Sequence, residues 1–282
     1  MSSLKSIREE IEVGRSIKGL VEVYEEMAAK TLREIRDAIL SSREYYRGLA
    51  RLSSEVGVDL SQLEDEKKRG QALVLFSSDG GLYGDIVDKV FARFLTRVKE
   101  IPRAEVYVSG RASESLMKML APGVKYNSIV VPEGEESFRQ VVASLWGYKQ
   151  VEMFFGQFES LARQEASSRE VSATEIELTQ RDWSGEVVAT LKYIYEPDVQ
   201  AVSKIFGQEI FKGILDQTIK EGELARSASR LMHLDQAIGK IDENLGRARG
   251  KYLKAVKRVS GRKQNTMLAG YRAKSGVRRV YA

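Results

Sequence analysis

The chain of 282 residues has no cysteine, one histidine and four prolines. Without cysteine there is no disulfide framework, no cysteine nucleophile and no thiolate metal site. With His233 as the sole imidazole, a histidine-rich metal centre or a Ser–His triad would have to be built around one residue. No stretch approaches the roughly 18 uninterrupted apolar residues of a transmembrane helix. The opening MSSLKSIREE lacks the apolar run of a signal peptide, so the chain is expected to stay where it is made. No proline precedes Pro102 and none follows Pro197, which leaves room for long unbroken helices.

What is present is charge, unevenly placed. From Lys240 to Ala282 there are 13 basic and 2 acidic residues, a net of +11 against +5 for the whole chain. A basic tail on an otherwise acidic chain is a candidate contact surface for nucleic acid, acidic protein or anionic lipid.

Apolar or small residues recur at steps of three and four from Leu4, Ile7 and Ile11 through Val21, Ala28 and Ile35 to Tyr46, Leu49 and Leu52. The spacing predicts one helix of about 50 residues, roughly 75 Å long. The texture changes after Gly70. Short strands are expected at Ala72–Phe76, Glu105–Ser109, Asn127–Val131 and Val151–Phe155, alternating with helices to Lys99, over Ala112–Leu120 and over Glu135–Tyr148. That alternation implies parallel βαβ units. Two β-branched runs, Val171–Gln180 and Glu186–Glu196, read as a hairpin turning at Gly185. Beyond Pro197 the helical spacing returns and runs to about residue 270. Each long helix needs a partner for its apolar stripe, and the other is the nearest candidate.

Chemistry is thinly represented. The turn Ser77-Ser-Asp-Gly-Gly-Leu-Tyr-Gly84 lies between a strand and a helix, a context suited to anion binding. It lacks the Lys-Ser/Thr of a P-loop and the spacing of G-x-G-x-x-G, and Asp79 would repel a phosphate, so it reads as a tight turn. His233 flanks an apolar stripe and reads as a packed or surface residue. Asp182, Glu186 and Glu196 read as solvated rim charges, and Glu165, Arg169 and Glu170 stand out no more. No metal constellation is evident, and no cofactor is expected. The basic run Lys251–Lys263 would grip nucleic-acid phosphates, lie as a solvated helix face, or meet an acidic protein sleeve.

Four segments resemble the gamma subunit family of the F-type ATP synthases. Ser3-Leu-Lys, Ile7-Arg8 and Ile11, followed by Ala28-Ala29 and Leu32-Arg33, are similar to the family opening S-L-K-x-I-R-x-x-I and its A-A-x-x-L-R. The turn Ser77–Gly84 resembles S-D-R-G-L-C-G, and Val151–Phe158 resembles the strand ahead of the family's hairpin. Glu196-Pro-Asp198 with Ala228, Arg230, Asp235 and Ala237 resembles E-P-D followed by A-x-R-M-x-A-M-D-x-A. The resemblance implies an α/β fold, a Rossmann-like foot domain inserted between two long N- and C-terminal helices that form an antiparallel coiled coil. It places the N-terminal coiled-coil helix at 1–55, the foot with its hairpin at 70–196, and the C-terminal helix with basic tail at 198–282. It further implies a rotor without catalytic residues of its own, whose partners are the F1 α and β subunits, the ε subunit and the membrane c-ring, and not nucleic acid. Such a chain would be peripheral on the cytoplasmic face of an energy-transducing membrane.

The departures from the family are electrostatic. Glu9, Glu10, Glu12 and Glu22 stand where the family's first helix is basic, and Ser260, Lys263 and Thr266 replace its acidic I-T-x-E-x-x-E-I. Charge of opposite sign on the apposed helices is expected to keep their attraction with the signs exchanged. Lys254, Lys257, Arg258, Arg262, Lys263 and Met267 are the expected bearing in the catalytic hexamer. Asp79, Gly80, Gly81, Leu82 and Gly84 are the expected foot turn, structural or on the c-ring side. A coiled-coil nucleic-acid-binding protein and a small-molecule-binding α/β protein, with its ligand at Asp79–Gly84, are the other readings the residues leave open.

Overall fold

The computed structural model describes residues 4–56, 69–77, 81, 83–130, 135–184, 196 and 198–279. Two units are distinguished, one of residues 28–233 and one of residues 1–27 with 234–282. Helix α1 (Leu4–Val56) and helix α6 (Val199–Arg279) each contribute to both.

In the larger unit, strand β1 (Arg69–Phe76) buries five consecutive residues, Ala72 to Phe76, as a strand covered on both faces must. It pairs in parallel with β2 (Glu105–Ser109) on one side and with β4 (Tyr148–Ser160) on the other. Strand β3 (Asn127–Ile129) adds in parallel to β2, and β5 (Arg163–Ser172) closes the other edge antiparallel to β4. The five-stranded order is β3-β2-β1-β4-β5.

Alternation along the strands feeds two cores. Leu73 and Leu75 face helix α2 (Ile86–Glu100) and helix α3 (Arg111–Leu120), packing with Ile86, Phe91, Phe94 and Met117. Ala72, Val74 and Phe76 face the other way, toward Val141 and Leu145 of helix α4 (Glu135–Leu145) and Phe211, Ile214 and Leu215 of α6. Each fully buried Phe or Leu contributes about 1.5–3 kcal/mol relative to exposure. Segment 210–219 of α6 is therefore a component of the α/β core.

The segment expected to form the first arm of a hairpin, Val171–Gln180, is mostly helical: α5 spans Ala173–Ser184. Ser172 accepts a hydrogen bond at Oγ from the Glu175 amide at 3.2 Å, and Ser172-Ala-Thr-Glu175 is a capping-box sequence that outweighs the β-branched residues around it. Ile176 and Gln180, one turn apart, are buried. The second arm, 186–195, and its Gly185 turn lie outside the described residues. The hairpin seen instead joins β4 to β5 around Leu161–Ala162. Strand β5 escapes the eye because it is an edge strand with one fully buried apolar residue, Val171.

Helix α1 reaches this unit through Tyr46, whose ring stacks on Trp183 of α5 at 5.9 Å between centroids. Gly213 of α6 lies beneath: a Cβ there would sit 2.7 Å from Tyr46 Cδ1 and 3.1 Å from the Trp183 ring. Gly48 on α1 has open space around it. Replacing either helical glycine by alanine gains up to about 1 kcal/mol of helix propensity, but overpacking at 213 costs about 1–3 kcal/mol. Gly48→Ala is expected to raise the urea midpoint of the full chain and Gly213→Ala to lower it. Equal signs for the two would contradict the close approach.

In the smaller unit the two helices run antiparallel. Ile7 and Ile11 of α1 pack with Leu245 and Ala248 of α6, flanked by Ile241, Tyr252 and Ala255. Gly14 seats Leu245, where a Cβ would come within 2.8 Å of its Cδ2. One turn on, Lys18 Nζ donates to both carboxylate oxygens of Asp242 at 2.7 Å.

Candidate partner-binding surface and helix joint

Beyond Ala255 the apolar seam of α6 has no partner among the described residues of α1. At about 100° per residue, the seam positions 241, 245, 248, 252 and 255 form one stripe. On the same projection Lys254, Lys257 and Arg258 fall in an arc of about 100° pointing away from the stripe, while Arg262 falls at its edge beside Ala255. Lys263 and Met267 fall on or near the stripe itself. All six expected bearing residues are exposed, Met267 at 75 %. Val259, Leu268 and Tyr271 are exposed with them.

The basic arc has no acidic neutraliser among the described residues. Of the two acids on this part of α6, Asp242 is taken by Lys18 and Glu243 by Arg247 on its own helix. The hydrogen bond to Asp242 also holds the Lys18 ammonium above its ordinary pKa. Charge exchange between apposed helices is not what the structure shows. The cross-helix ion pair among the described residues has its base on α1 and its acid on α6. Glu12 pairs instead with Arg8 on α1 at 3.4 Å, and Glu9 and Glu10 are exposed. The acids lie on α1 and the bases on α6 as read from the sequence, but in the antiparallel register Lys257, Arg258, Arg262 and Lys263 lie beyond the first described residue of α1 and so have no acid of that helix abreast of them.

A second constellation joins α6 to the sheet within the larger unit. Thr218 accepts at Oγ1 from Arg169 of β5 at 2.8 Å, and Glu221 accepts from the same guanidinium at 3.2 Å. Arg169 also lies over the Phe155 ring, 5.3 Å from its centroid. A turn later α6 crosses β4 with almost no side chain between. A Cβ on Gly156 would lie 3.1 Å from the Ala225 Cβ, and one on Gly222 3.3 Å from the Phe155 Cβ. Ser229 donates to the Tyr83 carbonyl at 2.8 Å. Gly84, with φ +63°, brings its Cα face against His233: a Cβ there would be 2.0 Å from the imidazole Cδ2. His233 is therefore a packed residue, as its flank position predicts.

Of the expected turn residues, Asp79, Gly80 and Leu82 lie outside the described residues; Gly81 is exposed and Gly84 is the one in contact with α6. Arg169, read from sequence as ordinary, is a principal member of the joint. Only its alternation within a polar strand could have pointed inward.

The fold and surface define a class: an α/β domain bound tightly to one helix of an antiparallel pair whose end is bare, basic and apolar. A family model described as ATP synthase matches residues 3–256. The ATP synthase gamma chain of Geotalea uraniireducens is 24 % identical over 276 residues, covering 90 % of this chain and 93 % of that one. That of Pasteurella multocida is 22 % identical over 288 residues, covering 96 % and 99 %. Among solved structures, a chain of the Euglena gracilis mitochondrial ATP synthase OSCP/F1/c-ring assembly superposes with a TM-score of 0.62 at 14 % identity, covering 96 % of this chain and 94 % of that one. The chain belongs to the ATP synthase family. Its curated relatives are gamma chains, and it is a gamma-type chain of that family. No helix among the described residues is long and apolar enough to cross a membrane.

Proposed function

We propose that this chain is the rotor shaft of an F-type or F1-like ATP synthase, coupling rotation of a membrane c-ring to conformational change in a catalytic α3β3 hexamer. The observation that carries the reading is the joint between α6 and the sheet. Over residues 213–233 one helix is held to the α/β domain by close glycine contacts, a guanidinium clamp and a capped carbonyl in succession. Torque applied to such a domain passes into the helix without an intervening hinge. In this reading 70–196 is the foot, 1–55 and 198–282 are the shaft, and the turn 79–84 acts structurally where Gly84 meets α6. Catalysis lies in the α and β chains, and this chain supplies none of the reacting groups. A rotor works by presenting different contacts to otherwise equivalent sites, which shifts each toward a different conformation. The complex sits peripherally on the cytoplasmic face of its membrane, with the ε chain as a further stalk partner.

The exposed basic arc at 254–263 supports an acidic lining in the hexamer's bearing. Direct phosphate grip on nucleic acid draws no support from the family match or the relatives. Co-expression of the full chain with its α and β chains tests the reading. A stable assembly is expected whose ATP hydrolysis turns a bead fixed to the foot. A hexamer that hydrolyses ATP at the same rate with and without the chain, or that never binds it, would refute the proposal.

A further inference from the structure

Within the larger unit α1 and α6 run side by side in opposite directions. Tyr46 packs on Gly213, and Lys220 donates from Nζ to the Ser42 hydroxyl. Beyond that crossing the hairpin tip adds a third wall through Phe158 and Leu161, and the three enclose a cavity of about 450 Å³. Small-molecule sites occupy roughly 300–1000 Å³. The α1 wall, from Leu32 to Arg43, makes a trough about 17 Å long.

The antiparallel pairing orders the lining. Along α1 it runs Leu32, Arg36, Leu40 and Arg43, and along α6 in the opposite sense Leu224, Glu221 and Gln217. The end at Leu32 and Leu224 is therefore apolar and the end at Arg43 and Gln217 polar. Arg43 and Gln217 also line an adjoining cavity of about 230 Å³, with Arg47, Asp182 and Lys220 farther along. Leu40 and Leu161 are 53 % and 52 % exposed, so large apolar side chains meet water in the trough itself. Arg36 and Arg43 are exposed as well. The carboxylate of the trough, on Glu221, is held by Arg169 at 3.2 Å, which leaves the lining cationic.

We infer that this trough is a binding site for a fatty acid, its alkyl chain along Leu32, Leu40, Phe158, Leu161 and Leu224 and its carboxylate at Arg43 and the Gln217 amide. Seating the chain removes apolar surface of both partners from water. A guanidinium gives a carboxylate charge-assisted hydrogen bonds in matching geometry. Arg36, two turns from Arg43 on the same face, adds attraction at longer range. Size argues against a docked protein helix. Three helical turns, about 16 Å long and 10 Å across, displace on the order of 1000 Å³ and would stand mostly outside the trough. Such a site depends on the fold alone and stands whether or not the chain serves as a rotor.

The test uses the full chain, titrated calorimetrically with decanoate, decanol and decyltrimethylammonium, each below the concentration at which it self-associates. Decanoate is expected to bind once per chain, with the cationic amphiphile weaker by about tenfold or more and acetate silent. Arg43→Gln should weaken decanoate about tenfold while leaving decanol unchanged, and Arg36→Gln should weaken it less. Leu161→Asp should weaken decanoate and decanol alike. Because the chain has no cysteine, Leu40→Cys supplies a single thiol, whose labelling by a maleimide decanoate should slow several-fold. Equal affinity for the three head groups, or undiminished decanoate binding in Arg43→Gln or Leu161→Asp, would overturn the inference. So would a thiol at position 40 that an assembled partner chain protects and decanoate does not, which would assign the trough to a protein helix.

Discussion

Gly84→Ala is expected to destabilise the full chain by about 2–5 kcal/mol, read as a lower urea midpoint with an unchanged slope. Two physical costs add. A non-glycine residue in the left-handed region costs about 1–2 kcal/mol, and Gly84 sits there at φ +63°. The new methyl would also lie 2.0 Å from His233 Cδ2 and 2.9 Å from Ser229 Oγ. The imidazole would have to leave its seat, and the Ser229 hydrogen bond to the Tyr83 carbonyl would be strained with it. Overpacking of this kind costs about 1–3 kcal/mol. The double variant Gly84→Ala/His233→Ala separates the two. Removing the imidazole clears the methyl's path and should restore the steric share, leaving the backbone share of about 1–2 kcal/mol. A Gly84→Ala chain within 0.5 kcal/mol of wild type would mean the turn is not held against α6 as described. Because Ser229 and His233 are the last contacts of the joint, the variant should also lower the torque transmitted per ATP in an assembled complex before it lowers hydrolysis.

Much of this architecture was legible because it rests on period. Buried Ala72–Phe76 reads as a central strand, and the three-four spacing of Ile7, Ile11, Leu245 and Ala248 reads as a helix seam. What escaped was set by tertiary context. Strand β5 is polar because it is an edge, so nothing in RQEASSREVS announces pairing. Helix α5 carried its signal openly in Ser172-Ala-Thr-Glu175, but the β-branched Val171, Thr174, Ile176 and Thr179 argued for strand, and the cap prevailed. The need for glycine at 84 and 213 comes from side chains far along the chain, His233 in one case and Tyr46 with Trp183 in the other. No local pattern contains that information. The same is true of Arg169, ordinary in sequence and made distinctive by Thr218, Glu221 and Phe155 around it. The expected ion pairing between α1 and α6 is absent for a related reason: composition reports how many charges each helix carries, while facing depends on the register of the pair, which leaves 257–263 beyond Leu4 of α1.

The angular placement of the basic residues on α6 makes the sharpest functional prediction. The quadruple reversal Lys254→Glu, Lys257→Glu, Arg258→Glu and Lys263→Glu should leave the isolated chain's stability within about 0.5 kcal/mol of wild type. All four side chains are exposed and none has a salt bridge among the described residues, so folding loses nothing by their reversal. Within an assembly the consequence should be large. Placing like charges against an acidic sleeve costs several kcal/mol, and a loss of about 4 kcal/mol weakens association roughly a thousandfold. Assembly with α and β chains should fail, or hydrolysis should continue without driving rotation. Two partial variants locate the effect. Lys254, Lys257 and Arg258 share the outward arc, whereas Lys263 lies on the opposite side, so reversing the three and reversing Lys263 alone probe different walls of the bearing. A sleeve that encloses the shaft should respond to both, and a one-sided contact only to the first. The wild-type interaction should weaken with added salt, as contacts between exposed charges do, and the salt dependence should flatten in the triple variant. Unchanged assembly and turnover after the quadruple reversal would show that the bearing reads shape alone, through Val259, Met267, Leu268 and Tyr271, and that the charge on this shaft serves no partner there.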